Sequence, residues 1–267
     1  MPNLGRADDN SAFIFLLFID IHYLCDMIEK TLGIVLATIP YNDRTTFVHI
    51  YTERFGKCTY RVANLSGRKS TATRMQLAPM TLLEMQVDHR LGREIHTIKE
   101  MITLSSPYSL AMGNPGKGAQ CLFMAELLDK TIREVEPNPD LFSFIQQSIE
   151  LLDLSEGNQP NFHLAFFLRL IGLLGFGIDA DSYTPGDRFD IREGRFTSNS
   201  ILHPYYLTPE SAARFHDIIA KDFTQFYNHA FHRDDRNRLA DILLLYLQLH
   251  IPEMGDLKSL DVLKELF

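Results

Sequence analysis

The sequence predicts an α+β protein of two domains: a small barrel of five β-strands, followed by an all-α domain that carries a small hairpin insert. Three observations predict it. The chain has 267 residues, more than the roughly 100–200 residues of a single domain. Residues 27 to 102 contain short stretches with strand periodicity, separated by turn residues. After Ser105-Ser106-Pro107 the apolar residues recur with helical spacing. We therefore expect the barrel at residues 27–106 and the helical domain at 107–267.

Five segments have the alternation or the β-branched content of strands. They cover residues 31–38, 46–52, 57–63, 83–87 and 93–99. Pro40-Tyr41-Asn42-Asp43 ends the first segment, and residues 53–57 form a tight turn in which Gly56 can adopt positive φ. Five short strands in about 70 residues suit an OB barrel, which binds oligonucleotides on one face. An SH3-like barrel would give almost the same pattern, so the sequence leaves both barrels open.

Helical periodicity marks the second half of the chain. Apolar faces run from Cys121 to Val135, from Leu141 to Leu152, from Phe162 to Leu174 and from Leu239 to Leu247. Gly175 ends the third of these helices, and Thr208-Pro209-Glu210 begins another as N-cap, first-turn proline and first-turn acid. The insert lies at residues 178–200, where 189–191 and 195–197 are expected to pair around Glu193-Gly194 as a hairpin.

Residues 1 to 26 form an extension before the first strand. Their apolar run, residues 12–19, is shorter than the about 20 residues that cross a bilayer, and Asp20 and His22 interrupt it. It also lacks the basic start and cleavage site of a signal peptide. We expect Met27 to be the natural start and no association with a membrane. The alternative is a real helix that packs on the barrel.

Charge divides the chain. Residues 27–102 hold eleven Lys and Arg against seven Asp and Glu, a net +4, whereas residues 103–267 hold fourteen against twenty-three, a net −9. The whole chain has a net charge of −8. This asymmetry indicates a basic working surface on the barrel. Three widely separated cysteines, Cys25, Cys58 and Cys121, suit a reducing cytoplasm and argue against a disulfide framework or a cysteine zinc site.

No catalytic motif stands out. The glycine-rich stretch 113–118 lacks the first glycine and the final Ser or Thr of a phosphate-binding loop, and Ser66–Ser70 has no preceding glycine. His229 and His232 have helical spacing but no further ligand at a suitable distance in the sequence. We therefore expect a binding protein that is not an enzyme and has no cofactor and no structural zinc.

The barrel segment instead combines cations with aromatic residues. Seven cations within 31 residues are the candidate nucleic-acid ligands: Arg44, Arg54, Lys57, Arg61, Arg68, Lys69 and Arg74. Four aromatic residues lie among them: Tyr41, Tyr51, Phe55 and Tyr60. Single-strand binders use cations to follow phosphates and aromatic faces to stack bases. Residues 66–75 are expected to be a mobile loop. A solvated basic surface, with Tyr60 and also Tyr51 in the core, remains an equal alternative.

Read together, these segments resemble RecO, the OB-fold mediator of bacterial recombinational repair, from about Leu32 to the end of the chain. The first landmarks lie in the barrel: Ile34-Val35-Leu36, Pro40-Tyr41-Asn42-Asp43-Arg44-Thr45, Tyr51-Thr52-Glu53-Arg54-Phe55-Gly56-Lys57, Gly67-Arg68-Lys69-Ser70, Leu77-Ala78-Pro79 and Arg93-Glu94-Ile95-His96-Thr97-Ile98. The others are helical: Ala125-Glu126-Leu127-Leu128, Leu141-Phe142, Leu173-Leu174-Gly175-Phe176-Gly177 and Leu257-Lys258-Ser259. Their order and spacing carry the resemblance.

The resemblance implies a cytoplasmic, nucleoid-associated protein that binds single- and double-stranded DNA and anneals complementary strands. It also implies that RecR and single-strand-binding protein are partners in loading RecA. Three departures limit it: no four-cysteine zinc site follows the Leu-Gly-Phe segment, no arginine pair occupies residues 164–166, and Leu260 replaces the usual Arg after Leu257-Lys258-Ser259. An RNA-binding OB protein, or a protein adaptor that does not bind DNA, remains the alternative.

Overall fold

A computed structural model describes residues 28–42, 45–63, 68–90, 92–107, 114–133, 136–155, 159–221 and 223–267. The expectations for residues 1–26 and for Arg44 lie outside these ranges. In the part of the chain that is described, no helix has both the length and the apolar character needed to cross a bilayer.

Five strands close into a barrel, which confirms the predicted OB-like fold. They are β1 (Ile28–Asn42), β2 (Thr45–Thr52), β3 (Gly56–Ala63), β4 (Leu82–Asp88) and β5 (Ile95–Ser105). The strand order is β1-β2-β3-β5-β4, and β4 pairs with β1 to close the sheet. Neighbouring strands are antiparallel except β3 and β5, which are parallel. The barrel closes most loosely at this seam, where residues 59–61 pair with residues 95–97.

Alternating side chains fill the barrel. Leu83, Met85 and Val87 of β4 are fully buried, whereas Glu84 between them is exposed. On β3, Cys58 and Tyr60 point inwards and Arg61 outwards. This alternation is the two-residue period of a strand with one buried face.

The structure between β3 and β4 differs from the sequence-based prediction. Residues 66–75 were expected to be a mobile loop, but Arg68–Gln76 form a helix, α1. The segment contains no Gly or Pro, and Arg, Lys, Ala, Met and Gln are good helix formers, so propensity outweighs the scarcity of apolar residues. Leu77 follows the helix and is buried in the barrel core, which anchors this end.

The second half of the chain is helical as predicted. Its helices are α2 (Pro115–Thr131), α3 (Pro139–Leu154), α4 (Phe162–Leu173), α5 (Pro209–Ile219), α6 (Phe223–Tyr227), α7 (Arg233–His250) and α8 (Lys258–Leu266). The predicted stops and starts hold at Gly175, whose φ is +83°, and at Thr208, which caps α5. One boundary was wrong: α2 ends at Thr131 and not at Val135, because Ile132 adopts an extended conformation.

The insert is a small three-stranded sheet. Strands β6 (Arg188–Asp190) and β7 (Arg195–Thr197) pair as the predicted hairpin, and β8 (Tyr206–Leu207), which was not predicted, adds to β6. Phe189 and Phe196 are buried with their ring centroids 4.8 Å apart. Phe189 also contacts Phe215 of α5 at 4.7 Å. An aromatic cluster therefore holds the insert to the helical domain.

The barrel and the helices share one apolar core. Ile34, Leu36 and Tyr51 of the barrel belong to the same buried cluster as the interior of α2 to α4. The Tyr51 hydroxyl donates to the Asn138 carbonyl at 3.4 Å, and its ring lies 6.1 Å from that of Phe142. Part of the outer face of the barrel is thus covered by the helical domain, and the rest remains available.

Candidate nucleic-acid interface

A groove lies on the outer face of the barrel where β2, β3 and β5 meet. Its volume is about 360 Å³, and seven residues line it: Tyr41, Thr45, Phe47, Arg61, Arg93, Ile95 and Thr97. We call this surface the barrel groove. Strands 2 and 3, with the loops between strands 1 and 2 and between strands 4 and 5, form the surface that binds oligonucleotides in OB folds. The barrel groove occupies this position.

Strand register brings the groove residues together. Phe47 on β2 is directly opposite Arg61 on β3, and Arg61 is in turn opposite Thr97 on β5. Arg93 lies in the loop that precedes β5, and both arginines are exposed. On the other side, Tyr41 is 68% exposed and its ring lies 5.0 Å from that of Phe47. The groove thus places two cations beside two aromatic rings.

Two of the predicted cations, Arg54 and Lys57, lie elsewhere and are already paired. Arg54 donates to Glu29 at 2.6 Å and to the carbonyl of Lys30 at 3.1 Å. Lys57 forms an ion pair with Asp129 of α2 at 2.9 Å and also donates to the Asp129 carbonyl. Lys57 therefore joins the barrel to the helical domain.

Asp129 is the centre of this interdomain contact. Its Oδ1 accepts hydrogen bonds from Lys57 Nζ and, at 2.7 Å, from His49 Nδ1. Burial alone would raise the pKa of Asp129, but the hydrogen bonds from His49 and Lys57 lower it by more, so the pKa lies below its ordinary value. The carboxylate is therefore charged at neutral pH, and this interface fixes the helical domain beside the barrel groove.

The remaining predicted cations belong to α1 or its approach. Arg68 and Lys69 begin the helix, and Arg74 in its last turn is exposed. The helix begins five residues after Ala63, which pairs with Thr45 at the groove end of β2. Chain connectivity therefore keeps the start of α1 at the same end of the barrel as the groove.

The predicted aromatic residues divide into two groups. Tyr51 and Tyr60 are fully buried, so neither can stack on a base. The Phe55 ring stacks on His89 at 3.9 Å. Tyr41 is the exposed member of the four. The alternation of β3 had already placed Tyr60 inside, and Tyr51 is buried because the helical domain covers its end of β2.

Sequence reasoning missed Arg93 and Phe47. Arg93 was assigned to the fifth strand, and its place beside Arg61 depends on the parallel pairing of β3 with β5. Phe47 belongs to a β-branched and aromatic run with no charge to mark it. The OB rule that strands 2 and 3 bind with the 4–5 loop could have pointed to both.

Several landmark segments have structural roles. Glu126 of α2 accepts hydrogen bonds from the backbone N–H groups of Lys258 and Ser259, at 3.2 and 2.8 Å, and from the Ser259 hydroxyl. It thereby caps the start of α8. In the 53–56 turn, Thr52 donates to the Gly56 carbonyl at 2.9 Å and accepts from the Phe55 N–H at 3.0 Å. Folding explains these segments without a ligand.

An OB-like barrel with an exposed basic and aromatic groove, joined to a helical domain, defines the class of this chain: a two-domain protein built around an oligonucleotide-binding type of barrel. The comparisons with known proteins then give its family. The model for the N-terminal domain of recombination protein O matches residues 27–107, and the model for its C-terminal domain matches residues 113–261. The chain therefore belongs to the recombination protein O family, RecO.

Individual relatives agree. The DNA repair protein RecO of Bacteroides fragilis is 37% identical over 242 residues, which cover 90% of this chain and 100% of that protein. The DNA repair protein RecO of Phocaeicola vulgatus is 35% identical over 241 residues with the same coverage of both chains. The protein of the same name from Porphyromonas gingivalis is 30% identical over 246 residues, again with 90% of this chain and 100% of the relative.

Proposed function

We propose that this chain binds single-stranded DNA in the barrel groove during DNA repair and recombination, without catalysing a reaction. The barrel groove carries this proposal, because it presents Arg61 and Arg93 beside the exposed Tyr41 at the oligonucleotide-binding position of the fold. The relatives are DNA repair proteins by name, which favours DNA over RNA as the ligand.

Each residue type in the groove has a role in binding DNA. The two guanidinium groups contact phosphates and release counterions, which makes binding weaken with salt. Tyr41 and Phe47 offer ring faces for stacked bases, and such stacking tolerates any sequence. Arg44 and three cations of α1 extend the path of the strand: Arg68, Lys69 and Arg74. Lys57 and Arg54 contribute least, because Asp129 and Glu29 already neutralise them.

We assign the DNA to residues 27–106 and partner proteins to residues 107–267. A second groove, of about 330 Å³, lies between α4 and the start of the insert; Leu168, Ile171 and Phe226 provide apolar lining, and Arg169 and Lys221 provide charge. The apolar floor and cationic side suit an acidic peptide. Replacing Arg169 by Ala should weaken that peptide at least several-fold, whereas Arg214→Ala on α5 should not.

A competition titration tests the proposed ligand. Labelled single-stranded DNA bound to the full chain is displaced with unlabelled DNA or RNA of the same sequence, at several salt concentrations. We expect DNA to compete at least as well as RNA, and binding to weaken as salt rises, with a slope of log K against log salt of about −4 for about six phosphate contacts. Strand annealing is followed in the same samples. Stronger competition by RNA would favour the RNA-binding alternative, and no binding at low salt would favour the adaptor.

A further inference from the structure

We propose that the end of the barrel nearest the 4–5 loop binds a zinc ion through the thiolate of Cys58 and the imidazoles of His89 and His96. Cys58 lies on β3, His89 follows β4, and His96 lies on β5. Their potential ligand atoms all lie within 4.8 Å of one another. Thiolate and imidazole are the ligands that zinc prefers, and three protein ligands leave one position for water.

The chemistry of the cluster fits a metal better than an ordinary core. Cys58 and His96 are only 8% and 6% exposed. The Nδ1 atoms of His89 and His96 are buried and have no hydrogen-bond partner among the described residues. An unpaired polar atom in a core is destabilising, so two of them on rings beside a buried thiol call for an explanation. A coordinated ion would satisfy the imidazole nitrogens.

Coordination requires one proton to leave the cluster. The Cys58 thiol is buried in the barrel and donates to the Phe55 carbonyl at 3.4 Å. Zinc binding breaks the S–H bond, forms the Zn–S bond and releases about one proton to solvent.

One ring must turn to complete the site. His89 and His96 are stacked, with centroids 4.0 Å apart and planes 20° from parallel, and lone pairs in stacked planes do not meet at one ion. Ligand atoms around a tetrahedral zinc are roughly 3.5 Å apart, given Zn–S of about 2.3 Å and Zn–N of about 2.0 Å. His89 is only partly buried and lies in a loop, so its ring is the one that can turn, and the turn also breaks its stack on Phe55 at 3.9 Å. His96 and Cys58 are held by their strands.

The site lies behind the barrel groove. Cys58 and Arg61 belong to the same strand but to opposite faces, and His89 and Arg93 belong to the same loop. A bound ion therefore joins β3, the 4–5 loop and β5, and it fixes the loop that carries Arg93. This proposal departs from the sequence-based expectation of a chain without zinc, which rested on the insert and on ligands close in sequence.

Cobalt titration of the full chain tests the site, in a Cys25→Ser background that removes the thiol outside the described residues. After treatment with chelator, Co²⁺ should produce a thiolate-to-cobalt charge-transfer band that saturates at one ion per chain and that zinc displaces. Zinc binding should release about one proton and raise Tm by several degrees. The band should vanish in Cys58→Ser and the zinc affinity should fall at least tenfold in His89→Ala.

Cys121→Ala is the matched control, because Cys121 is also a buried cysteine but lies on α2, away from the cluster. It should keep the band. A folded parent protein that shows no band would overturn the proposal, as would a band that survives in His89→Ala at unchanged affinity. Circular dichroism checks folding, and should Cys58→Ser fail to fold, the loop variant His89→Ala decides. These readouts do not depend on DNA binding.

Discussion

Lys57 could be a DNA ligand or an interface residue. The sequence suggests the first role, and the structure shows the second. As one of the seven candidate cations it would contact phosphate. In the structure its ammonium group donates to the carboxylate and to the backbone carbonyl of Asp129, and its side chain is 20% exposed. The change Lys57→Met removes the charge and keeps the apolar stem, which covers apolar surface in long basic side chains.

The expected cost follows from the contacts. A hydrogen bond to a charged group contributes about 1.5–3 kcal/mol. The pair is partly exposed, and Asp129 keeps its hydrogen bond from His49, so its carboxylate is not left alone. We therefore expect a loss of about 1.5–2 kcal/mol in the free energy of unfolding, towards the low end of that range. For a chain of this size each kcal/mol lowers Tm by about 2–4 °C, which gives a fall of about 3–8 °C.

Thermal and guanidinium unfolding measure the cost, and a double-mutant cycle with Asp129→Asn isolates the pair. We expect a coupling energy of about 1 kcal/mol, typical of residues in contact. The same variants are titrated with single-stranded DNA over a range of salt, where Lys57→Met should leave the slope unchanged. A slope that flattens by about 0.7 with no loss of stability would refute the reasoning and return Lys57 to the DNA path.

Three further predictions concern pH, packing and α1. The lowered pKa of Asp129 contributes stability that is present above the ordinary Asp pKa of about 3.9 and is lost as pH falls through the lowered value; acid titration should show this loss in the parent chain and less of it in Asp129→Asn. Gly33→Ala should cost about 1–3 kcal/mol by overpacking, because its Cβ would lie 2.4 Å from Met85 and 2.7 Å from Ile50; an unchanged guanidinium midpoint would show that the barrel adapts. Three cations of α1 are replaced together by Ala: Arg68, Lys69 and Arg74. Since Ala favours helix, the folded fraction should be kept while the salt slope flattens by about 2, and an unchanged slope would place the DNA path away from α1.

Local sequence patterns could predict the helices and strands of this fold, because each helix or strand depends mainly on residues that are neighbours in the sequence. The alternation of Leu83, Met85 and Val87 identifies β4, and Thr208 with Pro209 fixes the start of α5. The α1 helix was missed because a polar segment was equated with a loop, although its residues favour helix.

The candidate sites could not be predicted in the same way, since they depend on strand order. The groove requires β3 to lie beside β5, which no local pattern reveals. Cys58 and His96 are 38 positions apart in the sequence and meet only inside the closed barrel. The sequence alone suggests that Lys57 binds DNA, because only the position of α2 reveals its ion pair with Asp129.

The central claim, that DNA binds in the barrel groove, is tested most directly by one double variant. Arg61 and Arg93 are replaced together by Ala, and the affinity for single-stranded DNA is measured at several salt concentrations, with Arg214→Ala as the control for an exposed arginine on the helical domain. Loss of two phosphate contacts should flatten the slope by about 1.4 and weaken binding at low salt, while Tm and the control variant stay unchanged. A folded double variant with the slope and affinity of the parent chain would contradict the claim.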